Sequence, residues 1–452
     1  MTMKSIDIFV MNMSELLYSS YKHSQDKNTI QRIIQSDADR ALLYGAHNKI
    51  IVTSLPIRGE LVNDVIMAMK YKNVYAVHPA NPTYGLSEDI IGNPELSKNI
   101  SSIIRQSKVD RVNVIPYGTT NEFLQLVDWL KKKLPGIKVL APESCSQEQL
   151  FLREYVDQKS GFRDYWVRSQ AKIKCPEGFV CKNTDQAKKA ARYFYSVKKG
   201  FLFKHDTGVS GWGIIKFEYE NNFVEVLKKI DQNLIKNPSL KVITIVVEEL
   251  IDIDINQLGG SPSLEYSLSQ DKNGKGSFKF EYLCEQVVTS QGNFEGIVLY
   301  GNLKNSKWFK LLKKSGDKFA DYMSKKGYRG VFDIDFVISK QGDVYAIESN
   351  TRRTGGTHVW EASKYLLGEN IGDFHIYSND VLLTKESIKD YSRLKNLLSD
   401  LYLGNFGVRE GLLVSGSNML QYGKFGYIVF AKSKLRLNKI NREIVKRVGK
   451  NS

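Results

Sequence analysis

The sequence predicts a mixed architecture, α/β followed by α+β, in four parts. A Rossmann-like α/β domain covers residues 1–150, a small strand-rich subdomain 151–240, a larger one 241–370, and a small C-terminal subdomain 371–452. Three observations carry this reading. Short apolar strands alternate with amphipathic helices through the first 150 residues. A strand, a glycine-rich loop and a second strand follow one another at 199–217. Two strands near 330–350 set acidic side chains on one face.

In the first part, KIIVTSL (49–55), NVYAVHP (73–79), RVNVIPYG (111–118) and IKVLAPES (137–144) read as buried strands. Helical patterns at 59–71 and 120–134 lie between them, and such alternation predicts a parallel sheet with crossover helices. No Gly-x-Gly-x-x-Gly follows a strand, so no dinucleotide is assigned. Asn81-Pro82 and Gly85, after the 73–79 strand, mark a loop of the kind in which α/β proteins bind ligands.

The second part begins with a helix. Pro176-Glu177-Gly178 reads as a turn, and Asp185 to Tyr195 as a helix capped by Asn183 or Thr184. KGFLFKHDTGVSGWGIIKF (199–217) is strand, glycine-rich loop, strand. In the third part, VITIVVEELIDIDI (242–255) is a buried strand and its exit, and KNGKG (272–276) is a hairpin turn. Lys304 to Lys326 is an amphipathic basic helix. Residues 375–450 read as a separate small unit with strands near 411–415 and 425–431.

The segment RGVFDIDFVISKQGDVYAIESNTRRTGGTH (329–358) carries the chemistry. Phe332, Ile334, Phe336 and Ile338 alternate with Asp333 and Asp335, as in a half-buried strand. On the next strand Val344, Ala346, Glu348 and Asn350 are expected to share a face. A two-residue turn at Gln341-Gly342 sets Asp335 opposite Glu348 and Asp333 opposite Asn350. Facing carboxylates repel, and a divalent cation removes that cost. Carboxylate and amide oxygens suit Mg²⁺, which also takes oxygens from nucleotide phosphates. Upstream, Lys204 ends an apolar strand just before a loop in which Gly208, Gly211 and Gly213 allow close approach to phosphates. No Gly-Lys-Ser/Thr closes that loop, so it is not a Walker A motif.

This set of motifs resembles the ATP-grasp superfamily over roughly residues 150–365. The resemblance implies ATP and Mg²⁺, or Mn²⁺ in its place, with Asp335, Glu348 and Asn350 as metal ligands; it leaves Asp333 open. It implies that Arg352 faces the transferred phosphate. Lys204 and the loop residues Gly208, Ser210, Gly211 and Gly213 would cover the phosphates. A second, earlier lysine is placed at Lys159, with Arg163, Lys172 and Lys174 as alternatives. Glu248, Glu249 and Leu250 in VVEELID match the adenine hinge, and Glu265 the acid that binds ribose. Arg353 and His358, on either side of TGGT, are expected to bind substrate. The implied reaction is phosphorylation of a carboxylate to an acylphosphate, followed by attack of an amine or thiol. The motifs DQKSGFR, EGIVLYGN and IESNTRRTGGTH, with the tail QYGKFGYIVFAKSK, resemble a biosynthetic subgroup. That subgroup contains pheganomycin-type peptide ligases and butirosin-type carrier-protein ligases. Its members imply amino acid or peptide substrates, with an acidic acyl carrier protein as the alternative acceptor. Two other readings compete: a ligase of small metabolites, and a nucleotide- or nucleic-acid-binding protein with a degenerate ATP-grasp.

Composition narrows these classes. Four scattered cysteines without a Cys-x-x-Cys spacing indicate neither zinc nor a disulfide framework. No run of eighteen apolar residues appears and no leader pattern opens the chain, so a cytoplasmic protein without a membrane span is expected. The net charge of +16 favours polyanions, but aromatic residues do not interleave with the basic runs as in a single-strand-binding groove.

Overall fold

The N-terminal alternation builds an all-parallel sheet. The computed structural model describes residues 4–450 apart from 23, 25, 209–212, 238–239, 241–243, 271–274, 290–291 and 405–408. Its first five strands are β1 (Ser5–Val10), β2 (Lys49–Val52), β3 (Val74–Val77), β4 (Arg111–Pro116) and β5 (Lys138–Leu140). They lie in the order β3-β2-β1-β4-β5, each pair parallel. β1 is the central strand and is missing from the sequence pattern, because Asp7 interrupts its apolar run. In the sheet Asp7 accepts a hydrogen bond from Asn113 Nδ2 on neighbouring β4 (2.7 Å), which accommodates the charge. Helices Gly59–Met69 and Asn121–Lys133 are among the crossovers, the latter capped by Thr120, whose Oγ1 accepts from Phe123 N.

The second part holds a four-stranded antiparallel sheet of β6 (Gly178–Cys181), β7 (Phe201–His205), β8 (Ile214–Phe217) and β9 (Ile245–Glu249). Their order is β6-β9-β7-β8. Helices Thr184–Ser196 and Phe223–Lys236 cover one face through a core that includes Phe194, Phe203, Ile230 and Val247. Asn183 caps the first of these helices, accepting from Gln186 N.

An eight-stranded sheet completes the chain: β10 (Pro262–Gln270), β11 (Gly276–Val288), β12 (Phe294–Tyr300), β13 (Gly330–Ile338), β14 (Val344–Asn350), β15 (His375–Leu383), β16 (Gly411–Gly416) and β17 (Lys424–Ala431). Its order is β14-β13-β10-β11-β12-β15-β17-β16. Here the sequence expectation needs correction. The C-terminal strands are not a separate unit, because β15 pairs with β12 and continues the same sheet. The physical reason lies in β17, buried along nearly its whole length. A strand apolar on both faces needs cover on both sides and a neighbour at each edge. The basic helix, Phe309–Lys325, buries Phe319, Ala320 and Met323 beneath β10 and β13. Among the described residues no helix is long and apolar enough to cross a membrane.

Candidate active site

β13 and β14 pair with Asp333 opposite Asn350 and Asp335 opposite Glu348, as the sequence predicts, but by another route. The turn has three residues rather than two. Ser339 N donates to Asp343 O (2.8 Å), and Gly342 takes the positive φ (86°) of a three-residue loop. This pairs Ile338 with Val344 and Phe336 with Ala346, one residue out of the expected register. A bulge at Ile347 then restores it. The bulge also divides the strand, so the expected common face is corrected. Val344 and Ala346 enter the core, whereas Glu348 and Asn350 turn to a cleft.

Around the hairpin, acids and amides interlock. Asn350 Nδ2 donates to Asp333 Oδ1 (2.8 Å) and Asp335 Oδ2 (3.3 Å), and Gln286 Nε2 on β11 donates to Asp335 Oδ1 (2.7 Å). Burial pushes both aspartates above the carboxylate range, Asp335 the further because Asp333 and Glu348 face it. Burial alone would raise Glu348 too, but the Lys159 and Lys204 ammonium groups outweigh it and hold that carboxyl below its usual value. Among the described residues no three His, Cys, Asp or Glu side chains gather as a metal cage. Asp335, Glu348 and Asn350 instead offer two carboxylates and an amide oxygen. Such a set fits a hard cation whose remaining ligands are phosphate oxygens and water.

Lys159 opens the helix Lys159–Arg168 and is buried, with Nζ 2.9 Å from Glu348 Oε2 and donating to Gly208 O (2.7 Å). Asp206, just after β7, fixes the start of this helix by accepting from Ser160 N (2.8 Å) and Ser160 Oγ (2.9 Å). Of the four basic candidates, Lys159 is therefore the one that reaches the hairpin acids. Arg163 turns to Glu248 (2.8 Å) and Pro176 O, and Lys174 joins its backbone to Ala346. Lys204 Nζ lies 2.5 Å from Glu248 Oε2. The Glu248 side chain is thus a buried anchor for two cations. Gly213 needs to be glycine: φ is +80° and a Cβ would sit 2.5 Å from His205 Cβ. Gly208 offers its carbonyl to Lys159 rather than an N–H to the cleft. Ser210 and Gly211 lie outside the described residues.

The predicted hinge residues have their N–H groups engaged within the chain. Glu249 N donates to Glu177 O and Leu250 N to Gly200 O, both at 2.9 Å, so neither N–H is open. Ile251 follows, lines the cleft, and has an N–H with no acceptor among the described residues. Glu265 is a clear correction. It does not line the cleft, and its buried carboxylate accepts from Tyr282 Oη (3.1 Å), Thr354 Oγ1 (3.2 Å) and Thr357 Oγ1 (2.6 Å). Burial raises it to about 8 against these donors. Strand alternation does not predict this, since Glu265 stands opposite the cleft-lining Asp333 on β13.

Arg352 lines the cleft and is held by Asp157, whose Oδ1 accepts from Arg352 Nη1 (2.7 Å) and Thr351 N (2.9 Å). Arg353 and His358 do not line the cleft, which corrects their expected substrate role. The Arg353 guanidinium bridges Glu143 (2.7 Å) and Glu361 and stacks over Tyr44. It ties the N-terminal sheet to the helix Thr357–Leu367. His358 is fully buried and faces Asp380 (Nε2 to Oδ1, 3.7 Å) beside Arg40. The loop after β3 does not line the cleft either; Tyr117, after β4, does. Asp157, Gln286, Ile251 and Tyr117 escaped sequence reading. Only Asp157 left a trace, as the acid two residues before Lys159 in DQKSGFR.

The cleft has a volume of about 740 Å³ and runs between the small sheet and the hairpin. Solved structures share this architecture. Biotin carboxylase of Campylobacter jejuni, in a β,γ-ATP complex, matches with a TM-score of 0.55 over 99% of this chain and 91% of that one, at 13% identity. The biotin carboxylase domain of the Hydrogenobacter thermophilus 2-oxoglutarate carboxylase, with MgADP and bicarbonate, matches with a TM-score of 0.52 over 99% and 90%, at 12% identity. N5-carboxyaminoimidazole synthetase of Staphylococcus aureus, complexed with ADP, matches with a TM-score of 0.51 over 98% and 96%, at 12% identity. At these identities the likeness is one of fold: the chain has the ATP-grasp fold. L-propargylglycine–L-glutamate ligase of Streptantibioticus cattleyicolor (strain ATCC 35852) is 27% identical over 89 residues, which is 20% of this chain and 18% of that protein. No protein-family profile matches the chain.

Proposed function

We propose that this protein is an ATP-dependent ligase. It activates an amino acid or peptide carboxylate as an acylphosphate and passes the acyl group to an amine, releasing ADP and phosphate. The observation that carries this reading is the convergence on one cleft of Lys204, Glu348, Asn350 and Arg352, with Lys159 bonded to Glu348 and Asp157 to Arg352 from behind. The adenine edge would meet the Ile251 N–H, with the N-terminal parallel sheet closing the substrate side. Asp335, Glu348 and Asn350 would hold Mg²⁺, which would supply charge neutralisation at the phosphate oxygens. Lys159 and Lys204 position the phosphates, and the paired Arg352 guanidinium faces the charge that develops at the γ-phosphorus. The substrate carboxylate oxygen attacks that phosphorus, and the bond to the ADP oxygen breaks. An amine nitrogen then attacks the acyl carbon, the C–O bond to phosphate breaks, and the amine proton passes to solvent. The protein needs no nucleophile of its own; it orients reactants and excludes water. The Streptantibioticus relative is named as a ligase of two amino acids, which favours an amine acceptor over a carrier-protein thiol.

The deciding experiment measures nucleotide products and phosphate release with pairs of amino acids and with a carrier protein. ADP and phosphate, formed together with an amide, are expected. AMP and pyrophosphate as the main products would overturn the reading.

A further inference from the structure

The residues that line the cleft fall into a charged and an uncharged set. Every charged residue that lines it, among the described residues, belongs to the small sheet and the residues just after its strands, or to the hairpin and Arg352. Another part of the wall is formed by Tyr117, Tyr282, Cys284, Phe294, Ile297 and the backbone of Gly355 and Gly356. None of these carries a charge, and Tyr117, Tyr282, Cys284 and Ile297 are buried. Two hydroxyls at this wall are engaged from behind. Tyr282 Oη and Thr354 Oγ1 both donate to the buried carboxylate of Glu265. Glu265 therefore draws the hydroxyls away and leaves ring and backbone surface toward the cleft. The glycines let the rings lie against the loop: a Cβ on Gly355 would collide with Phe294, and one on Gly356 with Tyr282.

We infer that this chamber receives an apolar or aromatic side chain, that of the amino acid whose carboxylate lies at Arg352. The inference rests on the ligase reading for the position of that carboxylate and on the wall itself for the side-chain class. A charged side chain set against these rings and backbone would lose its hydration, a cost that an apolar one does not incur.

The test uses the full chain with saturating MgADP. Binding of the individual L-amino acids is measured by calorimetry, and phosphate release from ATP is measured with the same panel. Leu, Met, Phe and Tyr are expected to bind at least tenfold more tightly than Asp, Glu, Lys and Arg, and to stimulate phosphate release in the same order. Ile297→Phe should weaken the largest of them tenfold or more while MgADP still binds. Preference for a charged amino acid, indifference to the side chain, or no amino acid binding beside tight MgADP binding would each overturn the inference. Apolar selectivity in binding without ATP cleavage would support the chamber and defeat the ligase reading.

Discussion

Replacing Asp157 with alanine tests the role of Arg352 without touching Arg352 itself. The Asp157 carboxylate accepts from Arg352 Nη1 at 2.7 Å and from Thr351 N at 2.9 Å. Burial alone would raise its pKa, but the Arg352 and Arg153 guanidinium groups and the Thr351 N–H hold it below the usual carboxylate value. The Arg352 Nε has no partner among the described residues, so Asp157 is what aims the guanidinium. A hydrogen bond between charged groups is worth about 1.5–3 kcal/mol. If that orientation is needed where charge develops, the same energy is lost from the transition state, roughly a 10- to 150-fold fall in kcat. The KM for ATP should change little if, as proposed, Lys159 and Lys204 hold the phosphates. Asp157→Asn keeps an acceptor for Thr351 N and loses only the charge, so it should fall between wild type and Asp157→Ala. Steady-state phosphate release gives kcat and KM, and circular dichroism checks the fold. A folded Asp157→Ala enzyme with wild-type kcat, or with a raised KM and unchanged kcat, would refute the assignment of Arg352 to the transferred phosphoryl group.

Three further outcomes follow from the same geometry. Glu348→Gln should reduce turnover by about 100-fold or more, since a preorganised charge at the reacting phosphate is lost; near-normal turnover would remove Glu348 from the site. Gly213→Ala should lower the thermal midpoint and slow turnover, because φ of +80° and the His205 Cβ contact both oppose a side chain; an unchanged midpoint would show that the loop relaxes freely. Lys49 is buried over the Tyr71 ring and donates to Leu42 O (2.7 Å) and Tyr44 O (2.6 Å). Burial lowers its pKa to about 7 from 10.5. Between those values the unfolded chain binds more protons than the folded one, so stability rises with pH through that window. Lys49→Met should abolish this rise, and denaturant unfolding at pH 7 and pH 10 would detect it; equal slopes in both proteins would contradict it.

The acid hairpin is legible in the sequence because alternation of period two leaves little choice once Phe332, Ile334, Phe336 and Ile338 are assigned to the core. The pairings of its acids agree with the sequence although the turn and the pairs next to it do not: an extra loop residue and the Ile347 bulge displace the register in opposite directions. Periodicity cannot detect a bulge, and it is the bulge that sends Glu348 to the cleft and Ala346 to the core. Glu265 shows the converse limit. The resemblance assigns this acid to the ribose, yet three hydroxyls from Tyr282, Thr354 and Thr357 hold it in the interior. Those partners are up to 92 residues away in sequence, and nothing local announces them. Arg353 and His358 were misplaced for the same reason, since Glu143, Glu361 and Asp380 become their partners only through tertiary packing.

The two omissions in the N-terminal part are connected. With β1 unrecognised, the sheet has no visible centre, and any loop at a strand end is an equal candidate for ligand contact. With β1 in place, the order β3-β2-β1-β4-β5 reverses direction between β1 and β4. In open α/β sheets the crevice at such a reversal, outside the carboxyl ends of the strands, is where ligands bind. Asn12, just after β1, bridges that crevice: its Oδ1 accepts from Tyr117 N (3.1 Å) and its Nδ2 donates to Gly118 O (3.0 Å). The loop so fixed meets the hairpin directly. Tyr117 O accepts from Arg353 N (2.9 Å), and a Cβ on Gly118 would come within 3.1 Å of Arg352 Cβ. The parallel sheet therefore acts on the site through its reversal point, pressing the β4 loop against the backbone that carries Arg352. It also places Tyr117 on the uncharged wall. The loop after β3 packs instead on the segment after β1, where Tyr84 O accepts from Ser14 Oγ (2.8 Å) and Tyr84 stacks on Tyr18.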